Sequence, residues 1–274
     1  MGCPEGSRHS KLCGVRQHPT FEQLVAEGES VPVEGWDFSW LAGRATEQRP
    51  SWGYARTLVD RLGDVGAVLD VQTGGGEVLA EMLAQLPQPP IDLAATEAWP
   101  PNIDIARRNL QPFGVSVAQV ADDAALPFPS DSFDMVASRH PTVVMWPEIA
   151  RVLRPGGSYL SQQVGPGSNR ELTDFLMGPQ PVNPRRSAAR AAGEALAAGL
   201  GVVELREEAL AVELNDIRAV IYFLRKVLWT VPNFTVERYR KPLERLHDRI
   251  VRDGPFVAYA QRFLIEAHKP CSNA

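Results

Sequence analysis

The chain has 274 residues, 44% of them hydrophobic and 22% charged. That is enough apolar material for one large core and excludes disorder as its dominant state. A formal net charge of -5 argues against a nucleic-acid binder, which normally presents a basic face to phosphate. Cys3, Cys13 and Cys271 stand near the two ends, and the five histidines are scattered. Neither a disulfide framework, a cysteine nucleophile in the core nor a metal site is expected. The most apolar stretch, residues 217–232, is interrupted by Arg218, Arg225 and Lys226; it is too broken to span a bilayer. With no secretory signal at its start, the chain is expected in the cytoplasm as a monomer or homodimer.

Residues 1–18, rich in Gly, Ser, His and Arg, read as a flexible leader. Residues 19–56 form an N-terminal helical and aromatic lid, with Trp36, Phe38, Trp40, Trp52 and Tyr54 crowded within nineteen residues. Rings such as Trp40, Trp52 and Tyr54 either cap one end of the core or line a substrate pocket. From residue 57 short apolar strands alternate with amphipathic helices of about ten residues: RTLVDRL, AVLDV, EVLAEMLAQL, IDLAATE, PNIDIARRNL, VSVAQVA, SFDMVAS, PEIARVL and SYLSQQV. This alternation predicts an α/β, doubly wound, Rossmann-like and mostly parallel sheet of seven strands, the last antiparallel, spanning residues 57–274.

Long loops, an Ala-rich helix and a further strand around GVVELRE come next. Apolar residues at helical spacing then mark two amphipathic helices over residues 217–254, with Pro242 as a kink or helix start, and FVAYAQRFLIEAHK supplies a final strand. The helical pair is therefore an insertion between the last two strands and reads as a second lid. It carries nine basic residues against four acidic ones, with Tyr222, Phe223 and Trp229 on its other face.

The richest stretch is VLDVQTGGGEVL, a strand ending at Asp70, a turn through Gly74, Gly75 and Gly76, and a helix opening with Glu77. Glycines there let a ligand approach the backbone closely. About twenty residues on, Glu97 ends the next strand, where a carboxylate accepts hydrogen bonds from ribose hydroxyls in doubly wound folds. The glycines do not match the dinucleotide fingerprint, and a helix opening with Glu77 is a poor pyrophosphate site. An adenosine-containing cofactor without a diphosphate fits better.

The series VLDVQTGGGEVL, AATE, ADDAALPFPSDSFDMV and EIARVLRPGGSYL resembles the successive motifs of class I S-adenosylmethionine-dependent methyltransferases, in particular the small-molecule branch of ubiquinone and menaquinone methyltransferases. The resemblance runs from about residue 67 to residue 163. It implies that S-adenosylmethionine is bound and S-adenosylhomocysteine released. Asp70 would hold the methionine ammonium, Gly74 and Gly76 would pass beneath the methionine chain, and Glu97 would bind the ribose. Asp122, or Asp123 if the loop slips by one, would meet the adenine amino group. Ala98 and Trp99 would lie along the adenine face, although Trp99 is also readable as ordinary packing. Gln72 departs from the pattern by replacing the first glycine of D-x-G-x-G-x-G; its side chain either contacts cofactor or substrate or weakens cofactor binding.

Methyl transfer is an in-line displacement, so the protein chiefly aligns acceptor and donor, and a base is needed only where the acceptor must lose a proton. The strand SFDMVASRHP brings Ser138, Arg139 and His140 to the sheet edge beside the substrate. His140 is the candidate general base, with a role in tying down its own loop as the plain alternative. Arg44 is a candidate partner of the methionine carboxylate or a solvated arginine. The expected reaction is O- or N-methylation, with C-methylation open, of an aromatic or natural-product-like small molecule. An RNA methyltransferase docking through the basic helices and a noncatalytic S-adenosylmethionine-binding protein are the alternatives.

Overall fold

The computed structural model describes residues 19–33 and 37–271; the leader expected over residues 1–18 lies outside them. Helix α1 (Phe21–Ser30) starts at a reciprocal cap in which the Gln23 amide N–H donates to Thr20 Oγ1 at 3.3 Å and the Thr20 N–H to Gln23 Oε1 at 2.8 Å. Strand β1 (Ala45–Glu47) and helix α2 (Tyr54–Leu62) follow. The alternating series is then β2 (Ala67–Asp70), α3 (Glu77–Leu83), β3 (Asp92–Glu97), α4 (Pro100–Leu110), β4 (Ser116–Gln119), β5 (Phe133–Arg139), α5 (Trp146–Val152) and β6 (Leu153–Val164). Helices α6 (Arg170–Met177) and α7 (Ala188–Ala197) lead to β7 (Gly201–Leu214), and α8 (Ile217–Lys226) and α9 (Val236–Asp253) to β8 (Phe256–His268).

The strands form one sheet in the order β1-β7-β8-β6-β5-β2-β3-β4. Strands β2 to β6 pair in parallel, β8 runs antiparallel to both β6 and β7, and β1 runs antiparallel to β7. The predicted α/β doubly wound architecture, its antiparallel last strand and the helical insertion before that strand are all present. The sheet has eight strands rather than seven. β7 is fourteen residues long, and its far end would present an open ladder; Ala45–Glu47 pair with residues 212–214 and cover that edge. Part of the segment read as lid therefore belongs to the sheet.

Three apolar cores hold the layers. Helices α2, α3 and α4 close on one face of the sheet and α5 and α7 on the other. In the third, α1, α6, α8 and α9 bury a separate cluster against the outer halves of β7 and β8, including Ile217, Leu224, Leu243 and Leu246. The insertion is thus anchored along its length. Gly28 lets α1 approach α8 so closely that a Cβ there would lie 2.8 Å from the Arg218 carbonyl oxygen. In α9 the helix breaks its regular dihedrals at Tyr239, three residues before Pro242, whose ring removes the N–H that would bond to residue 238. Among the described residues no helix is long and apolar enough to cross a membrane.

Three of the nine basic residues of the insertion, Arg218, Arg240 and Arg252, form ion pairs within the fold among the described residues. Arg218 pairs with Glu27 at 2.7 Å and Asp216 at 2.8 Å. Arg240 pairs with Glu22, and Arg225 donates to the Gly28 and Val31 carbonyls.

Candidate functional site

Strands β2 and β5 are neighbours, but the chain leaves β2 toward β3 and β4 on one side and returns to β5 and β6 on the other. The crevice at their carboxyl ends is where doubly wound folds bind ligands. Asp70, Glu97, Arg139 and His140 all stand at this edge.

Asp70 is only 8% exposed and forms no ion pair among the described residues. Burial pushes its carboxyl up to about 7; the Glu97 charge adds to the rise and the Thr73 side chain offsets part of it. Glu97 is also buried. Its Oε2 accepts the Gly74 N–H at 2.7 Å, and its Oε1 accepts those of Ala98 at 3.0 Å and Trp99 at 2.9 Å. Burial outweighs these bonds and raises its pKa. Two buried carboxylates without a cation are a costly arrangement that a bound cation relieves. Between them Gly74 adopts φ +65°, and a Cβ there would meet no protein atom within 4 Å. At Gly76, φ +74°, a Cβ would lie 2.8 Å from Leu110 Cγ. Gly74 thus borders open space for a ligand, and Gly76 permits close packing of α4. An ammonium and a ribose fit this donor set.

Gln72 takes its glycine's place with a left-handed φ of 58°, a strain of roughly 1–2 kcal/mol for a residue with a Cβ. Its amide is wholly engaged by the loop after β5. Oε1 accepts from the Thr142 N–H at 2.6 Å and from Thr142 Oγ1 at 3.2 Å, and Nε2 donates to the Val143 carbonyl at 2.7 Å. Thr142 Oγ1 also bonds to Asp122. Side chains from three loops are therefore strapped together over a narrow cleft bordered by Gln72, Thr96, Asp122, Ser138 and Val143. Of the adjacent aspartates, Asp122 lines that cleft and Asp123 faces solvent. Trp99 caps α4 and is half exposed.

Beside the cleft a cavity of about 530 Å³ is lined by the polar residues Arg139, His140, Gln162, Arg186 and Arg262 and by the apolar residues Phe38, Leu210, Val212, Phe223 and Trp229. His140, with φ 56°, is fixed by a short relay. The Trp52 indole N–H donates to Gln162 Oε1 at 2.8 Å, and Gln162 Nε2 stands 2.9 Å from His140 Nε2. An indole nitrogen only donates, so Gln162 must turn its oxygen to Trp52 and its NH₂ to His140. His140 Nε2 is then an acceptor, and the ring proton sits on Nδ1. Burial first, then the charges of Arg139, Arg262 and Arg186, hold the His140 pKa well below its ordinary value. Protonation at Nε2 would set two donors face to face. The expected general base is thus a neutral imidazole whose lone pair is already engaged.

Other expected site residues lie elsewhere. Trp52 and Tyr54 are buried behind the wall, the Tyr54 hydroxyl donating to the Ser138 carbonyl at 3.1 Å. The Ser138 hydroxyl bonds to Tyr159 at 2.7 Å and Ser161 at 2.9 Å. Tyr222 is buried against Trp40, with ring centroids 4.8 Å apart, and neither borders the cavity. Arg44 stacks on Trp40 at 4.5 Å, donates to its carbonyl at 3.0 Å and meets Glu27 at 3.6 Å. These partners commit it to the α1 side, so it is not the partner of the methionine carboxylate. Arg139 and Trp229 are the two expected substrate contacts that the fold brings to the cavity.

Sequence reading missed Gln162, Thr142, Arg186 and Arg262. For Gln162 a signal existed: Ser161, Gln162 and Gln163 are three consecutive polar residues within a strand. Among the described residues no group of three or more His, Cys, Asp or Glu could hold a metal ion.

Residues 68–157 match the family described as methyltransferase domain. No curated protein matches the sequence. Among solved structures, the YcgJ protein of Bacillus subtilis is 19% identical, with 79% of this chain and 98% of that one covered at a TM-score of 0.56. A Bacillus halodurans C-125 protein, provisionally assigned as a methyltransferase, is 18% identical over 78% of this chain and 98% of its own, at 0.52. At these identities the likeness is one of fold. Residues 68–157 thus carry a methyltransferase domain. The matched domain contains the glycine turn, Glu97, Asp122 and the strand bearing Arg139, whereas Arg186, Trp229 and Arg262 of the cavity lie outside it.

Proposed function

We propose that the protein is an S-adenosylmethionine-dependent methyltransferase that transfers a methyl group to an oxygen or nitrogen atom of a small molecule seated in the cavity beside His140. The observation that carries this reading is the pair of buried carboxylates, Asp70 and Glu97, without a cation among the described residues, flanking the open side of the glycine turn. S-adenosylmethionine supplies, when bound, a methyl group on a positively charged sulfur. Asp70 holds the ammonium, and Gly74 and Gly76 let the backbone run beneath the methionine chain. Glu97, already oriented by three backbone N–H groups, receives the ribose hydroxyls. Asp122 takes the adenine amino group, while Ala98 and Trp99 flank the adenine. Gln72 acts on the cofactor indirectly, by fastening the 142–143 loop over the cleft.

The acceptor is aligned by the cavity walls, which supply proximity and exclude water. His140 serves there as an oriented hydrogen-bond donor from Nδ1, because Nε2 is engaged by Gln162; the acceptor atom must be nucleophilic without its help as a base. A nucleic-acid acceptor is disfavoured by the net charge of -5.

Calorimetric titration with S-adenosylmethionine and S-adenosylhomocysteine tests the reading, with micromolar binding of both expected. Failure of folded protein to bind either would overturn it.

A further inference from the structure

Three arginines from distant parts of the chain meet at one wall of the cavity: Arg139 at the end of β5, Arg186 in the turn before α7, and Arg262 in β8. All three bear electrostatically on His140, and Arg139 also bears on Arg262. Their compensation is incomplete. Arg262, its side chain 10% exposed, pairs with Glu47 at 2.8 Å, and Glu47 itself is 45% exposed. Arg186 donates to the Pro141 carbonyl at 2.7 Å and has no carboxylate partner among the described residues. Arg139 has no ion pair among them either. Burial weakens the hold of Arg186 and Arg262 on their protons. The neighbouring Asn169 amide is buried, and its Oδ1 lacks a partner among the described residues.

Gathering three guanidinium groups at one wall, Arg139 and Arg186 exposed and Arg262 partly buried, sets like charges near one another in the empty protein. It also focuses a positive potential into the cavity, and guanidinium forks match the paired oxygens of a carboxylate or phosphate. The same cavity is also lined by the apolar side chains of Phe38, Leu210, Val212, Phe223 and Trp229. A cavity of about 530 Å³ is in the range that holds a single small molecule.

We propose that the methyl acceptor is an amphipathic acid, its carboxylate or phosphate held by Arg139, Arg186 and Arg262 and its apolar body laid against Phe223 and Trp229. The word acceptor rests on the methyl-transfer reading; the anion site does not. A neutral His140 suits such a ligand, because Nδ1–H donates to an anionic oxygen and no proton has to be removed from it.

The test is binding of octanoate, octyl phosphate, octanol and octylammonium to the full chain, followed by Trp fluorescence and calorimetry, with S-adenosylhomocysteine titrated in parallel. The acids are expected to bind at least tenfold more tightly than the alcohol, and octylammonium more weakly than the alcohol; the tighter of the two acids identifies the head group. Arg139→Gln, at an exposed position without an ion pair, should weaken the acids by about tenfold, with S-adenosylhomocysteine affinity and melting temperature unchanged. Arg186→Gln is the second variant and should weaken them in the same way. Alcohol binding equal to acid binding, or acid affinity indifferent to both substitutions, overturns the proposal. If the acids bind as expected but S-adenosylhomocysteine does not, the anion site stands and the methyl-transfer reading fails. The converse result refutes the anion site alone.

Discussion

Replacing Asp70 by Asn should stabilise the ligand-free protein while crippling cofactor binding, and both effects should depend on pH. The Asp70 carboxyl rises from 3.8 to about 7 in the folded protein. A gap of about 3 units corresponds to roughly 4 kcal/mol. Between those pH values the unfolded side chain is ionised and the folded one protonated, so the native state binds the extra proton. Stability is fully present below pH 4, falls as pH rises through this window and levels off above 7. Glu97, also raised, acts in the same direction. Asp70→Asn removes the Asp70 part of this slope: variant and wild type should match near pH 4, with the variant ahead by roughly 2–4 kcal/mol at pH 8. Urea unfolding at unit steps from pH 4 to 8 reads this directly. An ammonium binds the ionised carboxylate, so wild-type affinity for S-adenosylmethionine should climb up to about tenfold per pH unit between 5 and 7 and then flatten. Binding by the variant should be weak and nearly flat. Equal stability slopes in the two proteins, or undiminished cofactor affinity in the variant, would refute the assignment of Asp70.

Four further outcomes are expected. Glu97→Ala should reduce S-adenosylhomocysteine affinity by more than tenfold in calorimetry, since it removes both the ribose acceptor and the anchor of three backbone N–H groups; His140→Ala should spare that affinity and lower turnover. Gln72→Gly should relieve the left-handed strain and release the 142–143 loop, so stopped-flow association of S-adenosylhomocysteine should be severalfold faster; an unchanged rate argues against the strap. Trp52→Phe frees Gln162 to flip and His140 to change tautomer, at a stability cost of about 1 kcal/mol; the ¹⁵N shifts of the His140 ring should show the altered tautomer mixture. Leu243→Ala, at a fully buried position among α1, α8 and α9, should cost about 2–5 kcal/mol; a loss under 1 kcal/mol in urea unfolding would mean that the insertion is loosely held.

What the sequence determined by itself is what local chemistry encodes. Period-2 and period-3.6 patterns specify strands and helices, and their alternation specifies a parallel sheet covered on both faces. The glycine turn with Asp70 before it and Glu97 one strand later is legible because its parts sit at fixed distances along one β-α-β unit. Tertiary structure alone decided the acceptor side. Arg139, Arg186 and Arg262 are separated by up to 123 positions and become neighbours only when β8 inserts beside β6. Trp52 and Gln162 meet across 110 residues, and their contact settles which nitrogen of His140 carries the proton. The same is true of β1, a three-residue strand with little pattern of its own, which exists because the overlong β7 offers it an edge. Periodicity reports which face of an element is apolar, not which distant side chain will stand opposite a given polar group. A site built from long-range polar pairs is therefore invisible until the sheet is assembled.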